Sequence, residues 1–266
     1  MRTLKLYVAL AAAGLRGELQ YRMNFVVWVA MGMVYQGTGF IFLWVVLARF
    51  QVLAGWTLGE VAFLYGLRLL AHGVTLLLFG YIFRLEFLVR QGDFDRYLVR
   101  PVPPLVQVIT SRFPVGALGD FLGGLAIFLA ATRLVAVDWS LLALAYLGLA
   151  IVGAALIEGG LKLGIAALTF RLLSSARLQL VVDNIFSLFG NYPLKLFDPP
   201  LQLLLAFGLP VAFVAYFPAT VLLARTDELS VHPLVAYLAP LAGVVWFSLA
   251  HWLWQHELRT YQSAGH

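Results

Sequence analysis

Apolar stretches of bilayer-spanning length recur along the whole chain, and they constrain its fold more than any other feature. A helix rises about 1.5 Å per residue and a bilayer core is about 30 Å thick, so a crossing takes about 20 apolar residues. Phe25–Leu47, Leu58–Phe83, Leu105–Ala131, Leu141–Phe170 and Leu234–Trp254 all reach that length. The charge count agrees: 18 Lys and Arg with 13 Asp and Glu make 12% of 266 residues, against 62% hydrophobic. An average soluble domain carries about 25% charged residues, and a core this large would outrun the polar surface available to cover it. A soluble enzyme, a disordered chain and a nucleic-acid-binding module are excluded. With no cysteine there is no disulfide, thiolate metal site or cysteine nucleophile. The fold class is an all-α polytopic membrane protein.

Two segments depart from simple spans. Leu6–Leu15 is too short to cross; with Arg16, Glu18, Gln20 and Arg22 behind it, residues 1–22 read as an amphipathic interfacial helix. Arg2 and Lys5 ahead of it resemble a signal peptide, but the charged flank and the full-length span that follow argue against cleavage. Leu178–Leu223 would be about 69 Å long as one helix, yet it holds Pro193, Pro199, Pro200, Pro210 and Pro218. Either two spans or one span followed by a re-entrant hairpin over 198–226 fits. With a cytoplasmic N-terminus and one crossing, twelve of the 18 basic residues lie inside and Arg49, Arg133, Lys195 and Arg225 outside, with Arg68 and Lys162 within spans. That is the positive-inside pattern. Because irregular backbone is tolerated at membrane depth where protein covers it, the reading is six transmembrane helices, a re-entrant hairpin before the last, and both termini cytoplasmic.

No phosphate-binding loop, His-Glu-x-x-His helix or Gly-x-Ser-x-Gly elbow is present. Catalysis by such constellations is therefore poorly supported. Asp93 and Asp95 read as a turn and helix start, with Asp93 as an N-cap, better than as a metal pair. Charges inside spans are costly and are functional candidates. Glu158 and Lys162 are four apart on one helix, in the favourable order for an ion pair. They form either a buried structural pair or a polar point on a translocation path. Arg68 and His72 share a face, and Arg68 suits a headgroup phosphate or a carboxylate such as Asp120. Arg68, Asp120, Glu158 and Lys162 are thus the candidate path. Trp28, Trp44, Trp56, Trp139, Trp252 and Trp254 lie near span ends and suggest an aromatic belt. The 84–104 stretch sets Leu85, Phe87 and Leu88 against Arg84, Glu86 and Arg90. It suits docking to a cytoplasmic partner or lying on the inner leaflet equally well.

Three motifs carry a family resemblance. They are Gly92-Asp93-Phe94-Asp95-Arg96-Tyr97-Leu98-Val99-Arg100-Pro101, Tyr192-Pro193 with Pro210 and Tyr216-Phe217-Pro218, and Tyr261-Gln262-Ser263-Ala264-Gly265. With the order of segments, they make the whole chain, 1–266, resemble the single transmembrane domain of an ABC-2-type transporter permease, more narrowly a small bacterial subfamily. The resemblance implies a transport subunit without catalytic residues, bound cofactor or nucleic-acid partner. It implies a second permease chain, in a homodimer or heterodimer, in the lipid of a bacterial cytoplasmic (inner) membrane. It also implies a separate cytoplasmic nucleotide-binding ATPase subunit carrying ATP and Mg. Region 84–104 would be the coupling helix, with Arg84, Glu86, Arg90, Asp93, Asp95, Arg96 and Arg100 meeting the ATPase, and most such systems export. The alternative is an ATPase-independent secondary transporter or lipid-handling protein using the four intramembrane charges.

Overall fold

The computed structural model describes residues 2–50, 52–172 and 174–262; Ser263, Ala264 and Gly265 of the C-terminal motif lie outside them. Helix α1 (Arg2–Leu19) leads into α2 (Arg22–Phe50), the first long apolar helix. A two-residue hairpin follows, β1 (Val52–Leu53) paired with β2 (Trp56–Thr57). It turns through Ala54 (φ 50°) and Gly55 (φ 86°), the left-handed pair that a tight hairpin requires. Helix α3 (Leu58–Phe79) begins on a capping box, Thr57 N–H donating to Glu60 Oε2 at 2.7 Å and Glu60 N–H to Thr57 Oγ1 at 3.4 Å.

A tight turn at 80–84 carries α3 into α4 (Leu85–Arg90), and α5 (Asp95–Leu98) and α6 (Pro104–Ile109) follow. Helix α7 (Val115–Ala131) corrects the expected span Leu105–Ala131, which is broken before Pro114. A proline lacks the N–H that a helix interior needs and pushes its predecessor towards extended backbone; Arg112 is exposed in that break. Helix α8 (Leu141–Ala167) starts at Ser140, whose hydroxyl accepts from Ala143 N–H, and α9 (Thr169–Leu172) continues its line. The proline-rich block is not one helix. It comprises α10 (Ala176–Phe189), α11 (Pro199–Leu203), a π turn over Leu204–Gly208, irregular backbone, and α12 (Tyr216–Leu222). Helices α13 (Leu234–Tyr237) and α14 (Ala239–Leu258) end the chain.

By length and composition, four stretches among the described residues are long and apolar enough to cross a membrane: Arg22–Val45, Leu58–Arg90, Val115–Thr132 and Leu141–Leu172. The long helices pack in a chain of neighbours, α2 on α7, α7 on α3, α3 on α8 and α8 on α14. Small residues set the approach. A Cβ on Gly119 would lie 2.1 Å from Val29 O of α2, and one on Gly243 of α14 would lie 2.2 Å from Gly153 O of α8. Without a hydrophobic drive between helices in lipid, such close backbone contact is the source of cohesion.

The main apolar core runs along α3, α7, α8 and the 205–222 segment. A second cluster, at the far end of α8, gathers Leu85, Leu88, Phe94, Phe170 and Trp254. The tryptophans divide accordingly. Trp28, Trp44, Trp139 and Trp252 are exposed, but Trp56 and Trp254 are almost wholly buried and do not belong to an aromatic belt. Trp56 instead lies under the Arg225 guanidinium, 5.1 Å from its ring.

Candidate functional site

Most of the charges within the long helices converge on one place, Asp120 excepted. Glu158, with no exposure, gives Oε1 to His72 Nδ1 at 2.6 Å and to Lys162 Nζ at 3.4 Å. Lys162 also holds Asp183 Oδ1 at 2.9 Å. Helices α3, α8 and α10 are thereby tied by one network of hydrogen bonds and ion pairs, which offsets the cost of taking the Glu158 and Lys162 charges out of water. The network edges a cavity of about 430 Å³ between α2, α3, α8 and α10. Arg68, His72, Lys162, Asp183 and Asn184 line it. Arg68 and Lys162 therefore share one cavity, and Glu158 stands behind it.

Asp120 does not join Arg68. It accepts from Gln36 Nε2 at 2.7 Å, and among the described residues no ion pair links it to Arg68. Gln36 lines the charged cavity, whereas Asp120 lines a second one, of about 380 Å³, beside Arg112. Asp183 and Gln36 were missed by sequence reasoning. The signal for Asp183 was a polar stripe on α10, where Gln179, Asp183 and Ser187 recur every four residues, with Asn191 just past the helix end.

The loop after α3 is held from beneath. Leu85, Leu88 and Val89 of α4 point inward, and Phe87 and Arg90 outward. Glu86 also turns inward, its Oε2 accepting from the backbone N–H of Ser175 and of Ala176, both at 2.6 Å. These are free donors at the start of α10. Ser175 holds the N-cap position but makes no side-chain cap bond; its hydroxyl lies 2.5 Å from that of Thr169. Glu86 caps α10 in its place, and a carboxylate suits the positive end of the helix.

Phe94, fully buried, packs on Phe170 at 5.1 Å and Tyr261 at 5.2 Å between ring centres. The Tyr261 hydroxyl donates to Asp95 Oδ1 at 2.9 Å, so the loop motif and the C-terminal motif touch. Burial, with the Asp95 carboxylate beside it, pushes the Tyr261 hydroxyl up to about 12. Asp93 pairs with Arg96 and does not cap α5. Arg84 lies 5.6 Å from the Phe87 ring and Arg100 5.9 Å from that of Tyr97. Arg90, Arg96, Leu98, Val99 and Arg100 face outward. Among the described residues no cluster of three or more His, Asp or Glu side chains is suited to a metal ion.

A helical membrane protein emerges in which Arg68, Lys162 and Asp183 line one cavity and whose polar loop is bolted to the end of the bundle. The chain belongs to the family described as ABC-2 family transporter protein, which it matches over residues 33–265. Searches of curated proteins and of solved structures returned no match. The family is a membrane component of transport and is not itself catalytic.

Proposed function

We propose that the chain is the membrane-spanning permease subunit of an ATP-binding cassette exporter in a bacterial cytoplasmic membrane. A separate cytoplasmic ATPase subunit binds ATP and Mg and drives it. Two permease chains, identical or related, form the working unit. Each has six spans, a re-entrant segment over 198–226 and both termini in the cytoplasm. Region 84–104 is the coupling element, and the cavity edged by Arg68, His72, Lys162 and Asp183 belongs to the path.

The observation that carries this reading is the construction of the loop. Its inner side is fastened by Glu86 and Phe94, while Arg90, Arg96, Leu98, Val99 and Arg100 are left outward. A surface that is apolar and basic at once, on a rigid footing, suits a protein partner. The footing also supplies a route inward. ATPase closure displaces the loop, Glu86 carries that displacement to the start of α10, and Asp183 on α10 is ion-paired with Lys162 at the cavity. The Lys162–Asp183 pair then has two arrangements, biased from outside, which is what alternating access requires.

The test is co-purification of the chain with a candidate nucleotide-binding subunit in mild detergent, followed by ATPase assays. The permease is expected to change the ATPase rate, and Arg96→Glu with Arg100→Glu is expected to abolish that change without altering the thermal midpoint. A competent ATPase that neither binds nor responds would favour transport without ATP.

A further inference from the structure

Arg68 is a cavity charge to which no described residue gives a hydrogen bond or an ion pair. It is 4% exposed, its Nε is buried without a partner, and no hydrogen bond or ion pair joins its guanidinium to another described residue. The nearby carboxylates make their contacts with other groups, and Glu158, whose Oε2 is itself buried without a partner among the described residues, meets Arg68 only through the field and not through a hydrogen bond or ion pair. Glu158 serves His72 and Lys162, Asp183 serves Lys162, and Asp120 serves Gln36. A guanidinium offers five donors in a planar fork, and burying that charge without acceptors is strongly unfavourable. The group that completes such a fork is a two-oxygen anion, a phosphate or a carboxylate.

The cavity also has an apolar neighbour. A second space of about 310 Å³ shares Leu76, Lys162 and Asp183 with it, and Phe79, Ile82, Phe83 and Leu180 complete much of its wall. An unpaired cation on one side of a shared wall and hydrocarbon on the other match a molecule with both characters. We propose that these two spaces form a binding site for an anionic amphiphile, its phosphate or carboxylate head on Arg68 and its chain in the apolar space. That the bound molecule is the transported one rests on the permease reading; the binding itself does not.

The purified chain in phosphatidylcholine nanodiscs is titrated with dodecyl phosphate, inorganic phosphate and dodecyltrimethylammonium, and binding is read from the thermal midpoint. Dodecyl phosphate is expected to raise the midpoint saturably, and Arg68→Gln to weaken it by about tenfold or more, the loss of one or two charge-assisted hydrogen bonds. Arg68→Lys is expected to weaken it less. Leu180→Trp, at an exposed position that lines only the apolar space, is expected to weaken dodecyl phosphate and leave inorganic phosphate unchanged. The proposal is overturned if Arg68→Gln binds dodecyl phosphate as the parent chain does, or if the cationic dodecyl compound binds equally well.

Substituting phosphatidylglycerol for part of the lipid separates the two sources of the head group. Loss of the dodecyl phosphate response identifies a membrane lipid as occupant and retention a solute amphiphile, and either result supports the anionic site. None of these readouts involves an ATPase. Failure of the permease reading would leave the site standing, and failure here would leave that reading intact.

Discussion

Replacing Glu86 is expected to loosen α10 from its first turn, because the helix has no other side-chain cap. Glu86→Ala removes two hydrogen bonds of 2.6 Å to the Ser175 and Ala176 N–H groups. Losing a helix cap costs about 1 kcal/mol, and the lost interaction of a carboxylate with the helix dipole adds about 0.3–1 kcal/mol. Because the Glu86 side chain is only 13% exposed, water replaces these contacts poorly, and the total comes to about 2 kcal/mol. Glu86→Gln keeps an acceptor and loses the charge, for about 1 kcal/mol. Hydrogen–deuterium exchange of the purified chain resolves the effect. Amides early in α10 are expected to exchange roughly 30-fold faster in Glu86→Ala, the equivalent of about 2 kcal/mol, with α8 unchanged. Arg90→Ala is the control. Its contact with Glu86 is 3.5 Å long and its side chain 64% exposed, so it is expected to change stability by less than about 0.5 kcal/mol. Unchanged exchange in Glu86→Ala, or an equal effect from Arg90→Ala, would refute the capping argument and the route from loop to cavity.

Three further outcomes are expected. Arg225 holds Glu60 Oε2 at 2.7 Å and Gly55 O at 2.8 Å and also pairs with Glu228, so Arg225→Leu is expected to cost about 1–3 kcal/mol of stability in a thermal melt, tempered by partial exposure. Gly119→Val drives a side chain into Val29 O and should cost about 1–3 kcal/mol or more, whereas Gly148→Ala on α8 meets nothing within 4 Å and should be neutral or stabilising; equal melts for the two would contradict the close α2–α7 approach. Tyr261 titrates at about 12 in place of 10.0. The folded chain holds that proton more tightly than the unfolded one, so the contribution is complete below pH 10 and is lost as the pH rises through about 12. Phenolate absorbance, with Tyr261→Phe as the reference, checks this, and a Tyr261 transition at the unperturbed value would exclude the buried contact with Asp95.

The long helices were legible because the signal that defines them is local. Helices α2 and α8 match the expected apolar runs Phe25–Leu47 and Leu141–Phe170 to within a few residues, and Ser140 marks the start of α8. Pro114 was in plain view, yet the run from Leu105 was read through it, because apolar length outweighed one breaker. The hairpin at Val52–Thr57 escaped notice because it is two residues a side. Glu86 is the sharper case. It was read as an outward coupling charge beside Arg84 and Arg90, but its partners are 89 and 90 residues further along the chain. No periodicity reports such a partner. Likewise Arg68 and Asp120 were matched by charge alone, whereas Asp120 accepts from Gln36.

The sequence by itself determined that this is a helical membrane protein, since the free energy of placing apolar residues in lipid accumulates residue by residue along each run. It also singled out the charges that deserve an account, because each is expensive wherever its helix ends up. Only the tertiary structure decided which charges meet. Glu158 binds His72 and Lys162, Lys162 reaches Asp183, Glu86 caps a distant helix, and among the described residues Arg68 is left without a hydrogen-bond or ion-pair partner. Those outcomes depend on the rotation and spacing of helices far apart in the chain. They are set by small-residue contacts such as Gly119 on Val29 and Gly153 on Gly243, where a fraction of an ångström decides which side chains face one another.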